Sequence, residues 1–397
     1  MPIVSNPIHV RVDPTPSRLH KVRRAKPVLR KRGHTHMSIN SDQPKAKERM
    51  DIRSVADRAK VSISTVSRTV NHVPTVDSKL AKRVRDAIRE LDYHPDMQAR
   101  ALVTGRSGLF CLIVSESTNV HFPELIENFE DASAERGFDT IISATNNDPK
   151  RNLLCIQRML QRKVEGVAVL TFGVEQSLLE QLAERIPLVC LDPGLERPLV
   201  SFLKVDYDSG IRQGVQHLAG LGHRKIAFIS GPTSLPLARP CRDSFLRSLG
   251  ECGIQSRPEW LIQGDDTFEG GTAALDELFA KDKLPTAIMC SNDETAIGVL
   301  HVVCRAGMHV PRNISIIGFH DVHMAQFMFP PLTSIQISRR ELARKAVIAL
   351  QAHMDGNPQR EYKVDTQLIV RQLTGFPPGT MDDLLIRARG SNKPDPF

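Results

Sequence analysis

Asp51–Asn71 reads D-I-R-S-V-A-D-R-A-K-V-S-I-S-T-V-S-R-T-V-N. Ile52, Val55, Ala56 and Ala59 recur at i, i+3, i+4 and i+7, which gathers their side chains on one face of a helix. A break at Lys60 and Val61 follows. Ser62 is placed to cap a second helix through Asn71, with Val66 and Val70 turned inward. A third stripe (Leu80, Val84, Ala87, Ile88, Leu91) stops near Tyr93, because Pro95 biases His94 away from helical backbone. Asp96 is placed to cap a further short segment ending at Gly105. Two short helices around a tight turn predict a helix-turn-helix, the unit that lays its second helix in a DNA major groove.

On that second helix Ile63 and Ser64 are the candidates to face base edges. Arg68, one turn on, has the fork that matches guanine O6 and N7. Ser62, Thr65, Ser67 and Asn71 are short hydrogen-bonding side chains suited to phosphate oxygens at a helix start. Taken alone, a Ser/Thr-rich helix start reads as a capping box. The inward stripe, the turn and the charge distribution decide for DNA.

That distribution is uneven. The 397-residue chain carries +8, yet residues 1–49 hold 12 Lys/Arg against 3 Asp/Glu, residues 50–107 hold 11 against 7, and the remainder is net negative. Positive charge is thus confined to the end expected to meet phosphates. Residues 1–49 are Pro-, Lys- and Arg-rich with no apolar period and are expected to be disordered. Two readings of them stay open: an arm adding sequence-independent DNA affinity, or a start of translation that really lies at Met37 or Met50.

The length suggests two or three domains. No run of eighteen apolar residues is present, and no apolar stretch follows the N-terminal charges, so neither a membrane span nor a secretory signal is expected. Seven scattered cysteines without a C-x-x-C pair read as reduced thiols of a cytoplasmic protein. From Gly108 onward, apolar runs (109–114, 140–143, 166–171, 188–191, 226–230, 286–290, 314–318) alternate with helical stretches, which predicts parallel sheets with right-handed crossovers in two lobes. Residues 376–397 read as a flexible tail.

With these motifs in hand, the chain resembles the lactose-repressor (LacI/GalR) family of bacterial regulators. Asp51–Asn71 and L-D-Y-H-P-D-M-Q-A-R-A-L (91–102) match its head. S-T-N-V-H-F-P-E-L, R-K-V-E-G-V-A-V-L, V-D-Y-D-S-G, L-G-H-R-K-I-A-F-I-S-G-P, P-T-A-I-M-C-S-N-D, I-S-I-I-G-F-H-D and P-P-L-T-S-I follow in family order across 50–375. The resemblance implies a multidomain protein: an all-α helix-turn-helix head (50–94), a hinge (95–107), and an α/β two-lobed, periplasmic-binding-protein-like effector domain (108–375) of parallel sheets flanked by helices.

It further implies that Ile63, Ser64 and Arg68 read bases, and that Ala99 and Leu102 lie on a hinge helix with Leu102 as a minor-groove wedge. Such a wedge costs a few kcal/mol of unstacking, recovered through contact with bent DNA. Read without the family, Leu102 docks on the body domain. Lys60 stands where the family usually has Gly, and a positive φ there costs about 1 kcal/mol.

The family pattern places His121, Asp192, Arg239, Asp266, Asn292 and His320 in the cleft between the lobes. Arg239 suits a carboxylate or vicinal hydroxyls, and Asp192 and Asn292 suit hydroxyl groups. Each also reads as a loop residue, and Asn292-Asp293 as a helix cap. Departures from the family are His320 in G-F-H-D, Asp266 where an aromatic usually stacks, and His121 at a commonly aromatic position. They point to a sugar, or a polar or acidic sugar derivative, with the histidines as donors.

His121, His320 and His323 share no metal-ligand spacing, and no metal or cofactor is expected. G-L-G-H (220–223) precedes a strand and reads as a helix C-cap at Gly222, not a dinucleotide fingerprint. No nucleophile–base arrangement emerges, so no enzyme is expected. The expected whole is a homodimeric repressor, cytoplasmic and nucleoid-associated, binding near-palindromic operator DNA under the control of a small effector. No apolar heptads follow residue 376 to make a tetramer. The competing readings are a nucleoid-type architectural protein without ligand control and a periplasmic solute-binding protein. The head and the missing signal segment argue against the second.

Overall fold

The computed structural model describes residues 51–379, apart from residues 72, 95–100, 102–104, 117–119, 147, 192–194, 196 and 281–283. The expected basic arm (1–49), the hinge residues Ala99 and Leu102, the cleft candidate Asp192 and the tail beyond residue 379 lie outside the described residues. The chain divides between His94 and Pro95 into two compact units.

In the first unit α1 (Ile52–Ala59), α2 (Ile63–Val70) and α3 (Ser78–Glu90) close on a small core of Val55, Ala56, Ala59, Val66, Val84 and Ala87. Each helix start is capped by the side chain before it. Asp51 accepts from Ser54 N–H at 2.9 Å, Ser62 from Thr65 N–H at 3.2 Å, and Asp77 from Leu80 N–H at 3.1 Å. Lys60 ends α1 in left-handed backbone, φ 50° and ψ 52°. The carbonyls left open there are taken by Arg83 of α3, whose Nη2 donates to Ala59 O at 2.6 Å and Lys60 O at 3.1 Å.

The second unit holds two six-stranded sheets. The first lobe is built on β1 (Leu109–Val114), β2 (Asp139–Ala144), β3 (Gly166–Val169), β4 (Leu188–Cys190) and β5 (Val200–Val205), with α4 (Phe122–Ala134), α5 (Pro149–Arg162) and α6 (Gln176–Ala183) between them. The second uses β6 (Ile226–Ser230), β7 (Leu261–Gln263), β8 (Ala287–Cys290), β9 (Ser315–His320) and β10 (Thr333–Ile337), with α7 (Tyr207–Gly220), α8 (Ala238–Glu251), α9 (Phe268–Ala280) and α10 (Asp293–Arg305). After α11 (Arg339–Met354), β11 (Glu361–Val364) returns to the first sheet and β12 (Thr366–Ile369) joins the second.

The sheet orders are β11-β5-β4-β3-β1-β2 and β12-β10-β9-β8-β6-β7, the same order repeated. All pairings are parallel except β10 with β12. The chain passes between lobes after β5, after β10, and across Asp365 alone between β11 and β12. Gly210 and Gly214 let α7 lie close on the second sheet, where an added Cβ would run into Ile335 and Met289.

The seven expected apolar runs all became strands, β1 and β6 with the expected bounds and the other five trimmed or extended by one or two residues at an end, whereas β5, β7, β10, β11 and β12 are additional to them. Gly222, φ 99°, follows α7 as expected. Next to it His223 is fully buried, bonded to Thr286 Oγ1 (2.8 Å), Ser315 Oγ (3.0 Å) and Gly375 O (2.9 Å), so G-L-G-H is a structural tie.

Candidate functional site

In the first unit α2 buries Val66 and Thr69 and turns the opposite face outward. Ile63 is 46% exposed, unusual for a β-branched apolar side chain with a core available beside it. Ser64 and Arg68 lie one turn apart on the exposed side, and Ser67 and Asn71 are partly exposed along it. Ser62 Oγ, besides capping, meets Ser64 Oγ at 2.8 Å and Thr65 Oγ1 at 2.9 Å. These hydroxyls and the open N–H groups of the helix start form a donor-rich end suited to phosphate.

In the second unit a cavity of about 390 Å³ opens between the lobes. In each sheet the strand order reverses once, at β1/β3 and at β6/β8, and the carboxyl end of such a pair leaves a crevice. The ends of those strands and the segments after them supply Ser115, Glu116 and Phe172 from one lobe and Ser230, Gly231 and Asn292 from the other. Tyr207, Phe228, Phe319 and Leu342 add apolar surface.

His121, at the start of α4, and His320, at the end of β9, meet with ring centroids 4.6 Å apart. Burial holds His320 down at about 4, helped by the positive charge of Arg339. Burial also pushes His121 well below the ordinary imidazole value, with His320 and Arg339 adding to it. The Asp266 carboxyl sits over Gly231, where a Cβ would come within 2.5 Å of Oδ2, and accepts from Ser291 Oγ at 2.6 Å. Burial pushes this carboxyl above its usual range, and neighbouring Asp265 adds to the rise against the Ser291 hydrogen bond. Asn292 does two jobs: Oδ1 caps α10 at Thr295 N–H (2.8 Å) and Nδ2 donates to Asp266 O (2.8 Å).

Comparison with known proteins places this geometry. Residues 51–96 match the bacterial regulatory proteins of the lacI family, and residues 215–374 match the periplasmic binding protein-like domain. The HTH-type transcriptional repressor PurR of Photobacterium profundum is 30% identical over 325 residues, covering 81% of this chain and 97% of that protein. The chain belongs to the LacI family. Catabolite control protein A of Priestia megaterium is 30% identical over 77% of this chain and 92% of its own length. The lac repressor dimer bound to operator and the anti-inducer ONPF superposes with a TM-score of 0.73 at 25% identity, covering 82% of this chain and 99% of that one. A transcriptional regulator CelR–cellobiose complex gives 0.62 at 25% identity, over 82% and 100%. This LacI-family chain is a DNA-binding transcriptional regulator, and the relatives it matches are regulators, not enzymes.

Of the cleft residues expected for a LacI-family chain, the structure brings His121, Asp266, Asn292 and His320 to the cavity wall. Arg239 is corrected: its side chain is 86% exposed, pairs with Asp243 on α8 at 3.7 Å, and is not among the residues lining the cavity. The helix turns it to solvent while Ala238 and Cys241 face inward.

Sequence reasoning missed Arg339, only 5% exposed. Its Nε pairs with Glu124 on α4 at 2.6 Å, and its Nη atoms donate to His320 O and Asp321 O, both at 2.7 Å. It ties the two lobes beside the histidines. It also missed Asp293, which is buried, not merely a cap neighbour, and takes Ser334 Oγ (2.5 Å) and Val322 N–H (2.7 Å). Among the described residues no group of three or more His, Cys, Asp or Glu is placed to hold a metal, and no helix is long and apolar enough to cross a membrane.

Proposed function

We propose that the chain is a ligand-controlled repressor, acting as a homodimer on a near-palindromic operator in the cytoplasm and nucleoid. The observation that carries this reading is the cavity at paired switch points of two lobes joined by three crossings, in a chain that also bears an exposed reading helix. A ligand that favours one lobe arrangement shifts a pre-existing equilibrium, and DNA affinity follows by linkage. In support, the matched relative PurR is named a repressor, and the lac repressor neighbour is a dimer on operator with a ligand bound.

Within this reading residues 50–94 are the head, 95–107 the hinge and 108–375 the effector domain. Ile63, Ser64 and Arg68 read bases; Ser62, Thr65, Ser67 and Asn71 hold phosphates; Ala99 and Leu102 engage the minor groove at the operator centre. The effector is a small polar molecule. The expected sugar derivative is one such molecule, and the CelR neighbour is described in complex with cellobiose. Against an acidic group stands the lining itself, which contains no Lys or Arg among the described residues.

The test is selection of bound duplexes from a random pool with the full chain, followed by titration of Arg68→Ala on the selected site and on random DNA. The reading expects a two-fold repeated site and a loss confined to it. Equal losses on both DNAs would instead mark an architectural protein.

A further inference from the structure

Among the described residues, the charged side chains facing the cavity are all acidic. Glu116, Asp265, Asp266 and Glu294 line it. The nearby guanidiniums are committed elsewhere: Arg339 to Glu124 and two backbone carbonyls, Arg239 to Asp243 on the outer surface. Nor do the two histidines supply positive charge, since both are held below the ordinary imidazole value.

The carboxylates are not equivalent. Asp265 is spent on the start of α9, where its Oδ1 accepts from Thr267 N–H (3.0 Å) and Oγ1 (2.7 Å). Glu294, 8% exposed, accepts from Val120 N–H at 3.3 Å. Asp266 takes, among the described residues, one neutral hydroxyl, that of Ser291, at one oxygen. Burial raises the carboxyls of both Asp266 and Glu294, as expected of acids enclosed without a counter-charge. Around them Tyr207, Phe228, Ile211 and Leu342 offer hydrocarbon surface. At about 390 Å³ the space sits at the small end of ligand pockets.

Resting on the effector-site reading above, we infer that the ligand of this cavity is a small organic cation, a protonated amine on a compact, largely apolar frame. Its ammonium group is met by Asp266 and Glu294. An anion entering the same space would face enclosed carboxylates with no cation to offset them. A neutral polyol would leave them uncompensated.

The experiment is calorimetric titration of the full chain with frame-matched probes: benzylamine, benzyl alcohol and benzoate, then 1,5-diaminopentane, 1,5-pentanediol and glutarate. Each is repeated on Asp266→Asn and Glu294→Gln. Asn at 266 keeps an acceptor for Ser291 and tolerates the left-handed backbone (φ 65°), so the fold is retained. Amines are expected to bind about tenfold or more tighter than the matched alcohols, and Asp266→Asn to remove about that factor, the scale of one hydrogen bond to a charged group. Equal or tighter binding of the alcohol or carboxylate, or an amine affinity unmoved by Asp266→Asn, overturns the charge assignment. If the bound alcohol or carboxylate also shifts DNA affinity, the effector-site reading survives that failure. If no probe of any charge binds, and Ile211→Trp in the cavity wall leaves DNA affinity unresponsive to a wider metabolite extract that shifts the wild type, the assignment falls and the site still stands. If the extract shifts neither protein, both fall.

Discussion

His121 and His320 lie ring to ring across the gap between the lobes, with Arg339 donating to the His320 carbonyl directly behind them. Burial, with the guanidinium beside them, favours the neutral form of both imidazoles, and that makes the lobe contact sensitive to acid. His320 is held at about 4, against 6.5 for an ordinary histidine. The unfolded chain therefore binds more protons than the native one between those values, and stability is lost as pH falls through 6.5 towards 4. His320→Asn should abolish much of that slope. Urea midpoints at pH 7.5, 5.5 and 4.5 should show the wild type losing on the order of 2 kcal/mol more than the variant. Parallel curves would remove the pair from the acid response. Asp293 works in the opposite sense: burial pushes its carboxyl up to about 7, so its share of stability falls as pH rises from 3.8 to that value. Only the difference between variant and wild type isolates the histidine.

Arg339 should be the most costly single position near the cavity. Replacing it with Met leaves the His320 and Asp321 carbonyls without their donor and Glu124 without its partner. A loss of about 3 kcal/mol is expected, from denaturant midpoints at unchanged slope. Arg339→Lys should recover less than half, because one ammonium cannot span three acceptors held by a planar fork.

Lys60→Gly should stabilise the head by about 1 kcal/mol, since Lys60 occupies left-handed backbone at φ 50°. Arg83→Ala should act oppositely, by about 1–2 kcal/mol, through the two carbonyls it leaves open. Amide hydrogen exchange over 51–94 reads both. If Lys60→Gly leaves protection unchanged or lowers it, the turn is not strained.

Arg68→Ala should cost ~1–3 kcal/mol at the selected operator and little on random duplex. Ser62→Ala should lower stability by about 1 kcal/mol as well as weakening DNA binding. Leu102→Ala should leave the fold intact while reducing DNA bending, read by fluorescence transfer across a labelled operator. Unchanged bending would return Leu102 to a docking role.

The head was almost wholly legible in the sequence, because its apolar spacing, its caps and its turn are local. In the second unit most of the long apolar runs announced themselves, though the buried β5 and β10, interrupted by Ser, Lys, Thr and Gln, did not. β11 and β12 did not: Glu361–Ile369 alternates through Asp365 without a Gly or Pro, so nothing local says that it serves two sheets. Of the cleft, residues at strand ends could be named, since loops after strands are where the family pattern lies. Arg239 failed because its helical phase, not its position in the chain, decides which way it points. Arg339 had a readable signal: it opens α11 with Arg340, two cations at the end of a helix that disfavours them, which argues that one is engaged elsewhere. Arg83, one basic residue among several on α3, had none.

The single residue between β11 and β12 sets the mechanics of the effector domain. One extended residue reaches only about 3.5 Å, so the sheets cannot slide past each other by more than that at this edge. The permitted movement is a swing about Asp365, like a page about its binding, with the passages after β5 and β10 following it. Lengthening the passage at 365 by a few flexible residues would add slack without touching the cavity wall. On the proposed ligand-controlled reading, ligand capture would then persist while its transmission to DNA faded.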